Sequence, residues 1–97
     1  MDFVQQFKSR VDIVRVVGEY VLLHPSGPSR HLGLCPFHQE TMPSFNVHGL
    51  HQFYKCFSCG ASGDVIKFVM EKKGVSFHEA LKSLSERYGI PMPEGSS

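Results

Sequence analysis

The sequence predicts an α+β fold: a small antiparallel sheet with short helices on either side. Three observations predict it. Residues 43–47 and 52–55 have the composition and apolar–polar alternation of short strands. Two turns of the form Cys-x-x-His and Cys-x-x-Cys, at 35–38 and 56–59, bracket those strands. Outside them, apolar residues recur at helical spacing between residues that start and stop helices.

Taken in order, Asp2 to Arg10 is expected to form a short helix with Phe3, Val4 and Phe7 on one face. Asp12 suits the N-cap of a second helix carrying Ile13, Val16 and Val17, which ends near Gly18. Tyr20 to Leu23 is β-branched and aromatic enough to be a strand. His24 to Ser29, rich in Pro, Ser and Gly, is expected to be a turn. Arg30 to Leu34 then runs as a strand into Cys35.

Pro43 to Val47 and Gln52 to Lys55 form a hairpin joined by residues 48–51. Gly60 to Gly63 is expected to be a flexible exit. A helix starts at Asp64, presents Val65, Ile66, Phe68, Val69 and Met70 to the sheet, and ends at Gly74. Ser76 and Glu79 match a capping box for a last helix with a stripe of Phe77, Ala80, Leu81, Leu84 and Tyr88. Gly89 fits the position after that helix, and Pro91 prevents continuation. Residues 1–92 are therefore expected to be one domain. Residues 93–97 carry no core pattern and resemble the start of a linker.

The two turns carry the chemistry. Cys35, His38, Cys56 and Cys59 use all three cysteines of the chain and one histidine, with 17 residues between the pairs. Two residues between ligands let a tight turn aim both side chains at one ion, and the longer gap accommodates a hairpin that folds the second turn back beside the first. This is the arithmetic of a tetrahedral Cys3His site for one structural zinc ion, and the architecture becomes a zinc ribbon. Iron suits the same donor set. A disulfide framework prefers an even number of cysteines. A redox Cys-x-x-Cys prefers a βαβ setting, and a cysteine nucleophile needs a base that spacing does not show. Four protein ligands leave no open position for substrate, so the ion holds the fold. His24, His31, His48, His51 and His78 have no cysteine three residues before them and read as ordinary polar residues.

Composition narrows the rest. Ninety-seven residues make one small domain, with eight Phe and three Tyr but no Trp. A structural zinc ion contributes on the order of 10 kcal/mol to folding such a domain, so the metal-free chain is expected to lose order between residues 30 and 63. No apolar run approaches the ~20 residues that span a bilayer, and the first residues have no signal-peptide pattern. Reduced, metal-bound cysteines suit the cytoplasm. The formal charge is only +1, so any nucleic-acid contact must rest on a local patch.

Gly33-Leu34-Cys35-Pro36-Phe37-His38, Pro43-Ser44-Phe45 and Tyr54-Lys55-Cys56-Phe57-Ser58-Cys59-Gly60 resemble the N-terminal zinc-binding domain of bacterial DNA primases. Residues 11–21, 63–68 and 74–90 extend the resemblance over nearly the whole chain. It implies a non-enzymatic domain that binds the single-stranded DNA template and helps select where an RNA primer begins. The domain works with a separate RNA polymerase domain, and other domains of the parent reach the replicative helicase. The alternative it leaves is a module that docks on the polymerase domain with little DNA affinity alone. The chain departs from the family pattern at Leu32, where a basic residue is common, and at Thr41 and Met42, where Lys and Thr are common.

Single-strand binding combines cations that follow phosphates with aromatic faces for bases. Arg30, His31, Tyr54 and Lys55, which lead into the two turns, are the candidate DNA contacts. Strand alternation sets Tyr54 and Lys55 on opposite faces and Phe53 on the Lys55 side. His48 and His51 are weaker candidates, and Phe37 and Phe57 are expected to shield the metal thiolates.

Overall fold

The computed structural model describes residues 3–39 and 41–92. The expected first residue of the opening helix, Asp2, and the expected linker at 93–97 lie outside the described residues. Nine elements follow in order: α1 (Phe3–Ser9), α2 (Ile13–Gly18), β1 (His24–Gly27), β2 (Arg30–Gly33), β3 (Phe45–His48), β4 (Phe53–Cys56), β5 (Ser62–Gly63), α3 (Val65–Lys73) and α4 (Phe77–Tyr88). The strands form one antiparallel sheet in the order β1-β2-β3-β4-β5. The α+β fold with short flanking helices is the one expected. No helix among the described residues is long and apolar enough to cross a membrane.

The helices start and stop where local chemistry dictates. Asp12 caps α2 by accepting from the Val14 amide, and Asp64 caps α3 by accepting from the Lys67 amide. Ser76 and Glu79 form the reciprocal capping box of α4. Gly74 and Gly89 close α3 and α4 in the left-handed conformation, with φ of 65° and 68°.

The sheet buries one face. Phe45 and Val47 on β3 and Tyr54 and Cys56 on β4 point inward and are fully buried. Ile13, Val16 and Val17 of α2, Val65, Ile66, Phe68 and Val69 of α3, and Ala80, Leu81 and Leu84 of α4 join them in one core. At its centre Phe45, Tyr54 and Phe68 have ring centroids 5.3–6.0 Å apart, with Phe37 at 5.6–6.1 Å from each. Edge-to-face and offset ring pairs of this kind suit a small core that lacks Trp. Polar contacts tie the helices together. Lys8 of α1 pairs with Asp64 at 3.1 Å. Glu19, just past α2, receives the Arg87 guanidinium and the Tyr88 hydroxyl of α4.

Three expected elements differ. Tyr20 to Leu23 is not a strand, whereas His24–Gly27, expected as a turn, is β1. Pro25 pairs opposite His31 on the sheet edge, where its missing N–H costs no ladder bond. Residues 21–23 instead pass close beside β2: a Cβ on Gly33 would lie 2.7 Å from the Leu22 carbonyl oxygen and 2.8 Å from a Val21 methyl. The exit at 60–63 also pairs, as β5, with Gly63 opposite Tyr54 and Ser62 opposite Lys55.

Candidate metal centre and the open sheet face

Sheet register explains how distant cysteines meet. Gly33, Phe45 and Cys56 lie in one row across β2, β3 and β4. The turn that follows β2 therefore starts beside the turn that ends β4. The second turn is closed by the Gly60 amide donating to the Cys56 carbonyl at 2.9 Å, and by the Cys56 amide donating to Ala61 at 2.7 Å.

The donor atoms of Cys35, His38, Cys56 and Cys59 all lie within 4.8 Å of one another. Cys35 Sγ and Cys59 Sγ are 3.8 Å apart, and Cys56 Sγ is 3.6 Å from His38 Nε2. Bonds of about 2.3 Å to sulfur and about 2.0 Å to nitrogen give tetrahedral edges of about 3.8 Å between sulfurs and about 3.5 Å between sulfur and nitrogen. The four atoms are thus spaced for one zinc ion. His38 Nδ1 lies 3.2 Å from the Gln39 carbonyl. Donation there fixes the tautomer that leaves Nε2 for a metal. Among the described residues this is the one group of three or more Cys, His, Asp or Glu side chains spaced to hold an ion.

Electrostatics agree with a cation at the centre. Burial pushes the Cys35 thiol up to about 12, against the pull of the Phe37 amide. Burial also raises Cys56, but hydrogen bonds from Ser44, the Cys59 amide, His38 and the Ser58 amide outweigh it and bring that thiol to about 6. A coordinating thiol is deprotonated outright, so a dication resolves the conflict between burial and thiolate charge.

The four candidate DNA contacts divide between the two faces of the sheet. Arg30 and Lys55 are exposed on the face that carries no helix among the described residues. His31, on β2 between β1 and β3, lies opposite Val47 on the core side, in the cross-strand row that continues to Tyr54, and is half-buried. Tyr54 has 0% exposure, with its ring inside the aromatic core. In that place it offers no face to a base. Its hydroxyl is buried without a hydrogen-bond partner among the described residues. Burial, followed by the nearby charges of Glu71 and Asp64, pushes its pKa up to about 12.

Other residues complete the open face. Arg30, His48 and Phe53 form one cross-strand row, and Leu32, Asn46, Lys55 and Ser62 form the next. The His48 ring stacks on Phe53 at 4.4 Å and 16°, and His51 approaches the same ring at 6.4 Å. Burial, then the positive charges of Arg30 and His51, holds His48 below its usual value, which favours the neutral ring at pH 7. Phe57, expected to shield the thiolates, is 69% exposed and lies 5.6 Å under the Lys55 ammonium. Phe37 does face inward, in the aromatic core. The turn Cys56-Phe57-Ser58-Cys59 aims the two sulfurs at the metal centre, and Phe57 lies outside that pair. Strand alternation already set Phe53 beside Lys55. The His48–Phe53 stack, by contrast, depends on the β3–β4 register, which no local signal specifies.

A family model described as CHC2 zinc finger matches residues 1–97. The chain is 53% identical over 91 residues to a DNA primase of Thermotoga maritima, covering 94% of this chain and 16% of that protein. It is 45% identical over 93 residues to a DNA primase of Neisseria meningitidis serogroup A, covering 96% of this chain and 16% of that one. The chain thus spans about one sixth of the length of these curated relatives. The crystal structure of the zinc-binding and RNA polymerase domains of the Aquifex aeolicus primase superposes with a TM-score of 0.87 at 38% identity. That match covers 97% of this chain and 23% of the other. Donor chemistry, spacing and family description agree on zinc as the cofactor.

Proposed function

Because this chain belongs to the CHC2 zinc finger family, we propose that it is the zinc-binding, template-contacting part of a bacterial DNA primase. Cys35, His38, Cys56 and Cys59 hold one structural zinc ion. Single-stranded DNA lies on the open face of the sheet, and this contact helps select the initiation site for primer synthesis. Nucleotide joining belongs to a separate RNA polymerase domain, and contact with the replicative helicase to other domains of the parent, acting in the cytoplasm. The chain alone is not an enzyme, since its donor set uses four protein ligands and leaves no position for substrate.

The observation that carries this reading is the gathering of Arg30, His48, Phe53 and Lys55 on one uncovered face. Phosphates follow Arg30 and Lys55. A base stacks against the Phe53–His48 pair, or over Phe57 beside Lys55. The near-neutral total charge is compatible with this, because the cations are local. With few phosphate contacts, binding is expected to be weak and salt-sensitive.

The test is fluorescence anisotropy of the chain, loaded with one zinc, against a short single-stranded DNA at low and moderate salt. Binding that falls with salt is expected. Arg30→Ala and Lys55→Ala should each reduce the slope of log affinity against log salt by about one. No binding at low salt, with zinc in place, would overturn the reading.

A second role is favoured by a different observation. Tyr20, Leu22 and Leu34 are 41%, 77% and 47% exposed and, with Pro36 and Pro43, line a groove beside the metal centre. An apolar groove there suits docking on the polymerase domain, the role that remains if DNA binding fails.

A further inference from the structure

Pro43-Ser44-Phe45 is used neither as a ligand nor on the open face. Phe45 belongs to the core. Ser44 is half-buried immediately before β3 and meets the second metal turn at three points. Its carbonyl accepts from the Phe57 amide at 3.1 Å. Its hydroxyl lies 3.4 Å from Cys56 Sγ. The Ser58 hydroxyl donates to the same Ser44 oxygen at 2.8 Å.

Proton counting fixes the direction of these bonds. A serine hydroxyl has one proton to give and two lone pairs to accept with. Ser58 fills one lone pair of Ser44, and the Cys56 sulfur lies within hydrogen-bond reach of the same hydroxyl. A metal-bound thiolate carries no proton and can only accept. We propose that Ser44 is a positioning residue of the metal centre: its hydroxyl, aligned by Ser58, donates to the Cys56 thiolate and withdraws charge from that sulfur. The proposal rests on the assignment of Cys56 as a zinc ligand.

The three cysteines differ in their need for such a donor. Three thiolates and one neutral imidazole around a dication leave one net negative charge to be dispersed. Cys59 is exposed and shares its charge with water. Cys35 receives the Phe37 amide at 3.5 Å. Cys56 has 0% exposure and no access to water. The amides of Ser58 and Cys59 reach it from its own turn, and Ser44 supplies a donor from the segment leading into β3, 12 residues away. Ser44 therefore holds the second turn against β3 while lowering the electron density on its most enclosed sulfur.

The test uses the same 97-residue chain loaded with cobalt(II), whose thiolate-to-metal charge-transfer band reports sulfur charge. A second readout is the rate at which iodoacetamide alkylates the zinc-loaded protein. Ser44→Ala should move the band to longer wavelength and speed alkylation by on the order of tenfold. Ser44→Thr, which keeps the hydroxyl, should restore both. Ser58→Ala, at an exposed site, should move both in the same direction by less. A purely structural serine would lower the melting temperature without moving the band. A wild-type band and alkylation rate in Ser44→Ala would overturn the proposal. If Ser44→Ala does not fold, unchanged values in Ser58→Ala overturn it instead. A wild-type chain that gives no tetrahedral cobalt spectrum sinks the ligand assignment itself, and this proposal with it.

Discussion

Removing one buried oxygen should stabilise this domain. Tyr54 has 0% exposure, and its hydroxyl is buried without a hydrogen-bond partner among the described residues. A buried polar group left unpaired costs about 1–3 kcal/mol relative to its hydrated state in the unfolded chain. Phe keeps the ring, and with it the contacts at 5.3 Å to Phe45 and 5.6 Å to Phe68. Tyr54→Phe thus deletes the penalty and leaves the packing. Taking the lower bound, the gain is about 1 kcal/mol, which raises the melting temperature of a domain this size by about 4–8 °C. The assay is thermal unfolding of both zinc-loaded proteins in excess zinc, so that metal loss does not confound the comparison.

Alkaline pH supplies an independent check with a defined sign. Burial raises the Tyr54 pKa from 10.0 to about 12. Between those values the unfolded chain ionises while the fold holds the proton. The contribution of this group is fully present below pH 10 and is lost as pH rises towards 12. The Phe variant lacks this loss, so its advantage should widen above pH 10. A variant less stable than the parent would refute the reasoning, because it would mean that the hydroxyl is satisfied by an enclosed water.

Other perturbations address other parts of the fold. Chelating zinc should abolish most strand signal and expose amides between residues 30 and 63 to hydrogen exchange, since a structural ion supplies on the order of 10 kcal/mol; retention of the β-sheet without metal would contradict this. Asp64→Ala removes the N-cap of α3 and the partner of Lys8, at a cost of about 1 kcal/mol by urea unfolding. Burial raises the Asp64 carboxyl, but the Lys67 amide and Lys8 outweigh it and hold it below 3.8. Its contribution is therefore present above pH 3.8 and fades below, so the gap between parent and variant should narrow as pH falls. Gln52 adopts φ 56° while its side chain accepts from the Ile13 amide and donates to Asp12 and Gly49. Both Gln52→Ala and Gln52→Gly should destabilise, the glycine variant less, by about 1 kcal/mol, because it adopts that φ without strain. Phe53→Ala should weaken single-stranded DNA binding by about tenfold at every salt concentration, and an altered salt slope would argue against stacking.

What the sequence made legible follows the range of each signal. The four metal-binding candidates stand out because ligand spacing is local within each turn. Asp64, Ser76, Gly74 and Gly89 marked the ends of α3 and α4 correctly because caps act within one helical turn. The alternation of Phe45, Val47, Tyr54 and Cys56 identified the central hairpin. β1 was illegible because Pro25 and Gly27 have turn chemistry, and only pairing with β2 makes that segment a strand. β5 is two residues long and exists through its pairing with Tyr54 and Lys55. Tyr54 was a reasonable stacking residue by type, but which face of the sheet meets the helices is a tertiary property, and it faces them. Gln52 looked like the first residue of a strand. Its role at the start of α2 depends on partners 39 and 40 residues away.

These long-range contacts anchor the open face at both ends of β4. Strands of four residues do not hold a sheet by themselves. β4 is clamped at both ends. Cys56 enters the metal centre at one end, and Gln52, immediately before Phe53, bonds to the start of α2 at the other. Phe53 and Lys55, the outward residues of β4, lie between the clamps. The face that meets DNA in the proposed function is thus set by ties made on the opposite side of the sheet, which lowers the ordering cost of binding. The two ties act nearest to different residues. Loss of Gln52 should blunt the contribution of the Phe53–His48 stack before it affects Lys55. Disturbance of Cys56, directly or through Ser44, should first reach Lys55 and the Phe57 ring beneath it.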